Sequence, residues 1–296
     1  MFPCAFFFIR PFVRRTATSP SGPRPGAARA DSRPSPPPWR AALSACLLLA
    51  LGACASYDPS KLDIDRSIQA KSQNSRVEMV VLHYTSSGNE AALKTLSQLN
   101  VSSHYLVTNA PRPHVYQLVD ESRRAWHAGV SAWYERSDVN SASIGIEIVN
   151  DGRRRDGTWA PYPAVQIKVV AALLKDIIRR HQIKPRNIVG HSDVAPQRKI
   201  DPGPLFPWRE LARQGIGRWY DEDLARRYAL QFQQQGLPDA AWIQGALRRA
   251  GYDTPSSGVL DEATRNVIAA FQMHYRPSDY GGEPDAQTLG ILKALP

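Results

Sequence analysis

The chain has 296 residues, 43% hydrophobic and 22% charged, enough for a sizeable core in one large or two modest domains. Its three cysteines, Cys4, Cys46 and Cys54, exclude a disulfide scaffold and a Cys-rich zinc finger. The net charge of +10 is concentrated in residues 1–53, which hold seven Arg against one Asp and leave only +4 for the rest. A basic groove for nucleic acid is therefore not implied.

Residues 1–53 read as a processing leader. Nine prolines and the arginines among them cannot build a core. Ala41–Ala53 (AALSACLLLALGA) is an apolar run too short to span a bilayer as a helix and of the right length for a signal-peptide h-region. Leu51-Gly52-Ala53-Cys54 resembles a bacterial lipobox, in which the cysteine becomes diacylated and N-terminal. An ordinary signal peptide with a chance cysteine is the competing reading. Cleavage before Cys54 removes Cys4 and Cys46 and leaves no free thiol, which suits an oxidising periplasm. The leader is long for its kind, and a start codon further downstream would leave the rest of the reading unchanged. Ala55 stands where an Asp would favour inner-membrane retention. The expectation is an outer-membrane lipoprotein on the periplasmic face of a Gram-negative bacterium, with residues 54–76 as a polar, lipid-anchored tether.

Val77–Leu82 (VEMVVL) predicts a buried strand. Asn89–Leu99 predicts a helix with Asn89 as its N-cap. Strand-like runs follow at Tyr105–Val107 and Val115–Val119. In Ser143–Asn150 (SIGIEIVN) alternation sets Ile144, Ile146 and Ile148 on one face, and Gly145, Glu147 and Val149 on the other. Ala164–His181 has Val169, Val170, Leu173, Leu174, Ile177 and Ile178 at helical spacing, and Ile188–Gly190 returns to a strand. Interleaved strands and helices predict an α/β layer fold. After Asp221 the pattern turns all-helical, with Asp223–Gln235, Ala240–Ala250, Asp261–His274 and Asp285–Leu295. The expected division is a catalytic domain at 77–220 and a small helical domain at 221–296.

Two histidines sit at strand ends: His83 after the first strand and His191 after Ile188–Gly190, with Asp201 ten residues on. Two such histidines and a carboxylate can make a three-ligand zinc site whose fourth position is left for water. On spacing alone a set of this kind is more often structural or incidental than catalytic.

The motifs VVLHYTSSG, SHYLV, RAWHAG, SIGIEIVN and HSDVAPQRKIDPGPLFPW, in this order, resemble the zinc-dependent N-acetylmuramoyl-L-alanine amidases. This superfamily is shared with phage lysozyme-type amidases and peptidoglycan recognition proteins, and the resemblance is greatest to its outer-membrane lipoprotein branch, which also cleaves anhydromuropeptides. It implies a central mixed β-sheet flanked by helices. It also implies one zinc held by His83, His191 and Asp201, with Glu147 as the acid/base residue and Lys199 as the cation of the transition state. By themselves, Glu147 reads more readily as a polar residue on an exposed strand face and Lys199 as a solvated surface lysine. His104 is expected to pack or hydrogen-bond near the site, and His127 to shape the cleft wall. His114, His181 and His274 read as surface or helix-end residues, and Asp120, Glu121 and Asp193 receive no chemistry. Pro202-Gly203-Pro204 and Phe206-Pro207-Trp208 read as a rigid loop after Asp201 or, equally, as a plain proline turn into a helix starting near Trp208.

Residues 240–296 contain LDEATRNVIAAFQMHYRPSD and GGEPDAQTLGIL, which resemble the three-helix peptidoglycan-binding domain of cell-wall hydrolases, with Asp261 and Asp285 as N-caps. A helical appendage that binds nothing is the plainer alternative. The implied partners are peptidoglycan, muropeptides and, through Cys54, a membrane. A non-catalytic muropeptide-binding protein is the alternative function, although such binders lack a zinc ligand and this chain fills every position. A zinc peptidase is a third reading, and HExxH is absent.

Overall fold

The computed structural model describes residues 61–296. The leader, the lipobox with Cys54 and the start of the tether lie outside the described residues. Residues 61–76 form neither helix nor strand and are mostly exposed, and residues 70–296 make one compact unit.

Five strands form a mixed sheet: β1 (Met79–Tyr84), β2 (Tyr105–Val107), β3 (Val115–Gln117), β4 (Ser143–Ile148) and β5 (Ile188–Gly190), in the order β3-β2-β4-β1-β5. Only the β2–β3 pair is antiparallel. Between strands in the chain lie α1 (Asn89–Gln98), α2 (Val139–Ala142) and α3 (Ala164–His181), and after β5 come α4 (His191–Val194) and α5 (Trp208–Arg213). The central strands are apolar on both faces because helices cover both.

Strand period 2 sorts the two faces. Val80, Leu82, Ile144, Ile146, Ile148 and Ile188 pack with Val170, Leu174 and Ile177 of α3. On the opposite face Leu106 and Val149 pack with Ala92 and Leu96 of α1, while Met79, Val81 and Val189 join a second large cluster. That opposite face carries the chemistry. Parallel pairing sets His83 beside Glu147 in register, so both side chains project away from α3.

Three expectations need correction. β1 begins at Met79 and runs to Tyr84, so His83 lies inside the strand, because the ladder to β4 continues through the His83 and Tyr84 pairs. Asn89 is not an N-cap: Gly88 is, and the Asn89 side-chain oxygen instead accepts from the Asn109 N–H at 3.1 Å. His274 is near a helix end but is no surface residue; it is 3% exposed.

The C-terminal helices are α6 (Glu222–Gln235), α7 (Ala240–Arg249), α8 (Glu262–Tyr275) and α9 (Ala286–Lys293). Each starts at an aspartate, Asp221, Asp239, Asp261 or Asp285, whose carboxylate accepts a first-turn N–H. A Cβ on Gly290 would stand 2.6 Å from the Ala225 carbonyl oxygen, so glycine lets α9 lie directly on α6. The core under β1 is continuous with this bundle: Met79, Val81 and Val189 share one buried cluster with Trp133, Ile243, Val267 and Phe271.

Candidate metal centre

His83 and His191 come from adjacent parallel strands, β1 and the end of β5, and Asp201 from the loop ten residues further on. The loop is held locally: the Ser192 N–H donates to the Asp201 carbonyl at 2.8 Å, and the Tyr162 O–H to the Pro202 carbonyl at 2.8 Å. Three atoms converge. His83 Nδ1 lies 2.9 Å from His191 Nδ1, and each is 3.1 Å from Asp201 Oδ2. Among the described residues this is a group able to hold a metal ion.

The hydrogen bonds on the far side of each ring say why a cation fits. His191 Nε2 donates to the Ala128 carbonyl at 3.1 Å, which leaves Nδ1 of the neutral ring as a bare lone pair. His83 Nε2 lies 3.0 Å from His127 Nδ1, and His127 Nε2 3.0 Å from Ser143 Oγ, which donates to the Val139 carbonyl at 2.6 Å. A carbonyl can only accept, so the bonds are satisfied by one direction of donation: His83 to His127, His127 to Ser143, Ser143 to Val139. His83 Nδ1 is then bare as well. Two lone pairs and a carboxylate oxygen facing one another repel unless a cation lies between them. Tetrahedral zinc, bound at about 2.0–2.1 Å, sets ligand atoms about 3.3 Å apart, close to the spacing seen.

Electrostatics agree. Burial and the neighbouring His191 push the His83 imidazole down to about 4, so it is neutral at pH 7. Burial raises the Asp201 carboxyl, but hydrogen bonds from His191 and His83 outweigh it and hold it well below the usual carboxylate range. The donor set is two imidazole nitrogens and one carboxylate oxygen, which suits a divalent metal.

Glu147 and Lys199 line the same cleft, of about 530 Å³, with the three converging residues. Glu147 Oε2 is enclosed without a hydrogen-bond partner. Burial and the Asp201 carboxylate push its carboxyl up to about 8, against the pull of Lys199. A carboxyl poised near neutrality can take and return a proton. All five residues singled out in the sequence thus meet in one cleft.

Others were not foreseen. His127 is more than a wall, since it is the hydrogen-bond partner of His83. Gly145 makes its place, because a Cβ there would come 2.4 Å from His127 Cγ. The Arg198 guanidinium bonds the carbonyls of Ala128 and Val130 and so fixes the loop that supports His191. His104, as expected, is not among the converging atoms; its Nδ1 accepts from the Gly145 N–H at 3.0 Å. The RAWHAG motif was the available signal for His127, but its partner lies 44 residues away.

Comparison with known families and structures places this architecture. The family model described as N-acetylmuramoyl-L-alanine amidase matches residues 73–204, and the peptidoglycan binding domain matches residues 237–292. The chain belongs to the N-acetylmuramoyl-L-alanine amidase family. It is 42% identical over 263 residues to N-acetylmuramoyl-L-alanine amidase AmiD of Escherichia coli (strain K12), covering 86% of this chain and 95% of that protein. The crystal structure of AmpDh3 from Pseudomonas aeruginosa superposes with a TM-score of 0.76 at 41% identity, covering 79% of this chain and 98% of that one. AmiD from E. coli in complex with the substrate anhydro-N-acetylmuramic acid-L-Ala-D-gamma-Glu-L-Lys superposes with a TM-score of 0.72 at 42% identity, covering 80% and 95%.

Proposed function

We propose that this chain hydrolyses the amide between the lactyl group of N-acetylmuramic acid and the L-alanine of the stem peptide, the 1,6-anhydro sugar included, using one zinc ion held by His83, His191 and Asp201. The observation that carries the reading is the meeting of two bare imidazole nitrogens and a carboxylate oxygen within 3.1 Å of one another, beside an unpaired Glu147 oxygen. Likeness to AmiD, whose structure holds an anhydromuramoyl peptide, supports the substrate class.

A zinc ion bound there supplies Lewis acidity, polarising the scissile carbonyl and acidifying the attacking water. Glu147 takes the proton of that water and passes it to the leaving alanine nitrogen, so the carboxyl ends as it began. The Lys199 ammonium faces the negative charge that grows on the carbonyl oxygen. Trp126, 60% exposed on the rim of the cleft, offers a flat apolar face to the sugar ring. Residues 77–220 are the catalytic part and residues 221–296 the part that holds peptidoglycan. The role is cell-wall turnover or recycling in a Gram-negative envelope, with Cys54 lipidated and the protein tethered to the periplasmic face of the outer membrane.

Digestion of sacculi and of soluble anhydromuropeptides, with zinc and with chelator, tests this by mass analysis of the products. Release of intact stem peptides with a free L-alanine amine, abolished by chelator and restored by zinc, is expected. Cuts between amino acids would indicate a peptidase. Binding without release would leave the chain a muropeptide-recognition protein.

A further inference from the structure

The helical module reaches the segment that carries His191. Asp193 stands in α4, two residues past His191, and is fully buried. Its Oδ2 accepts from the Gly190 N–H at 2.7 Å and from His274 Nδ1 at 2.7 Å, and its Oδ1 accepts the Tyr252 O–H at 2.7 Å. Two of these three donors belong to the module: His274 to α8, and Tyr252 to the segment after α7. The His274 ring is stacked between Tyr275, centroids 4.0 Å apart, and Trp208, 3.9 Å apart. Trp208 opens α5, seven residues past Asp201. One imidazole therefore braces both the segment that carries His191 and the segment that follows Asp201.

The brace has physical work to do. A helix of four residues has no stability of its own, so the direction of His191 depends on what anchors α4. A buried carboxylate is tolerable only when it is hydrogen-bonded. Without the module Asp193 would keep one local donor, Gly190, and would turn toward water, loosening the strand end from which His191 projects.

We infer that the C-terminal module is a structural part of the metal centre, and that His274 and Tyr252 are positioning residues which hold His191 in its metal-binding orientation through Asp193. This rests on the reading of His191 as a zinc ligand. The module then has two tasks, holding peptidoglycan and completing the site that cuts it.

The test uses the full chain and measures zinc affinity by competition with a chromogenic chelator, and kcat and KM on a soluble anhydromuramoyl peptide. Tyr252→Phe removes one hydroxyl and keeps the ring. His274→Leu removes the donor, and His274→Asn restores an N–H near the position of Nδ1. Ile243→Val, in the core of the module and without a hydrogen bond to Asp193, is the reference for general loosening. Tyr252→Phe and His274→Leu are expected to weaken zinc binding about tenfold and to lower kcat more than they change KM. His274→Asn should recover most of the affinity, and Ile243→Val should bind zinc as the wild type does. Wild-type zinc affinity in both Tyr252→Phe and His274→Leu, or losses no larger than that of Ile243→Val at the same melting temperature, would overturn the inference. His191→Ala separates the two levels: if it binds zinc as tightly as the wild type, the ligand assignment fails first and the inference with it.

Discussion

At the scale of single residues, opposite pulls act on Glu147. Burial and Asp201 raise its carboxyl to about 8, while Lys199 lowers it, and a divalent cation at the neighbouring ligands lowers it further. Catalysis as a base needs the ionised form, so kcat/KM of the zinc-loaded enzyme should rise with pH through a group titrating at or below about 8. Lys199→Met removes a charge that favours the ionised form. Its rising limb should therefore move to higher pH, in addition to a loss of turnover; a limb that stays in place would detach Glu147 from that limb. Glu147→Gln and Lys199→Met should keep their zinc while losing on the order of 10²–10⁴-fold in kcat. His83→Ala, His191→Ala and Asp201→Ala should lose the zinc itself, and metal analysis of the purified variants tells the two groups apart.

At the scale of elements, the site depends on how closely its strands and loops approach. Gly145 sits in the middle of β4, where a side chain would be ordinary, yet the His127 ring occupies that space. Gly145→Ala should displace His127 from His83 and cost about 1–3 kcal/mol of stability, as overpacking does. A fall in melting temperature together with weaker zinc binding is the expected pair of results. A second device ties β2 to the end of α3. Glu121 accepts hydrogen bonds from Tyr105 at 2.7 Å and from Arg180, and its Oε2 lies 2.7 Å from His181 Nε2. Burial acts to raise its carboxyl, but the bonds from Arg180, Tyr105 and His181 outweigh that and bring it to about 2. A carboxyl lowered by folding stabilises the protein fully above its unfolded value of 4.5, and that contribution is lost as pH falls toward about 2. Urea titrations across this window should give a steeper loss of stability for the wild type than for Glu121→Gln, which has no such proton to gain.

At the scale of the whole molecule, the proposed anchor at Cys54 and the cleft are separable by mutation. Cys54→Ala should give a protein that is soluble or unprocessed and still cleaves purified muropeptides, because the cleft is built from residues 83–201. A correctly folded Cys54→Ala protein without activity on soluble substrate would contradict this separation, and fractionation of the wild type to the cytoplasm would contradict the lipoprotein reading. One buried cluster joins the helical bundle to the sheet, so residues 70–296 form one compact unit.

Much of this was legible in the chain's order of residues, and the reason is locality. The strands from Tyr105 onward and the long helices announce themselves by apolar period, and the caps Asp261 and Asp285 by position. The five residues of the cleft stand in short motifs that carry a strong family resemblance. What local pattern could not settle were pairings across long separations. His274 looks like a helix-end residue until α8 folds against α4 and its ring meets Asp193, 81 residues earlier; Tyr252 meets the same carboxylate across 59. His127 and His83 are likewise 44 apart. A polar side chain needs a hydrogen-bond partner only once it is buried. Which partner it finds depends on the surfaces that close over it, and those exist only in the folded molecule.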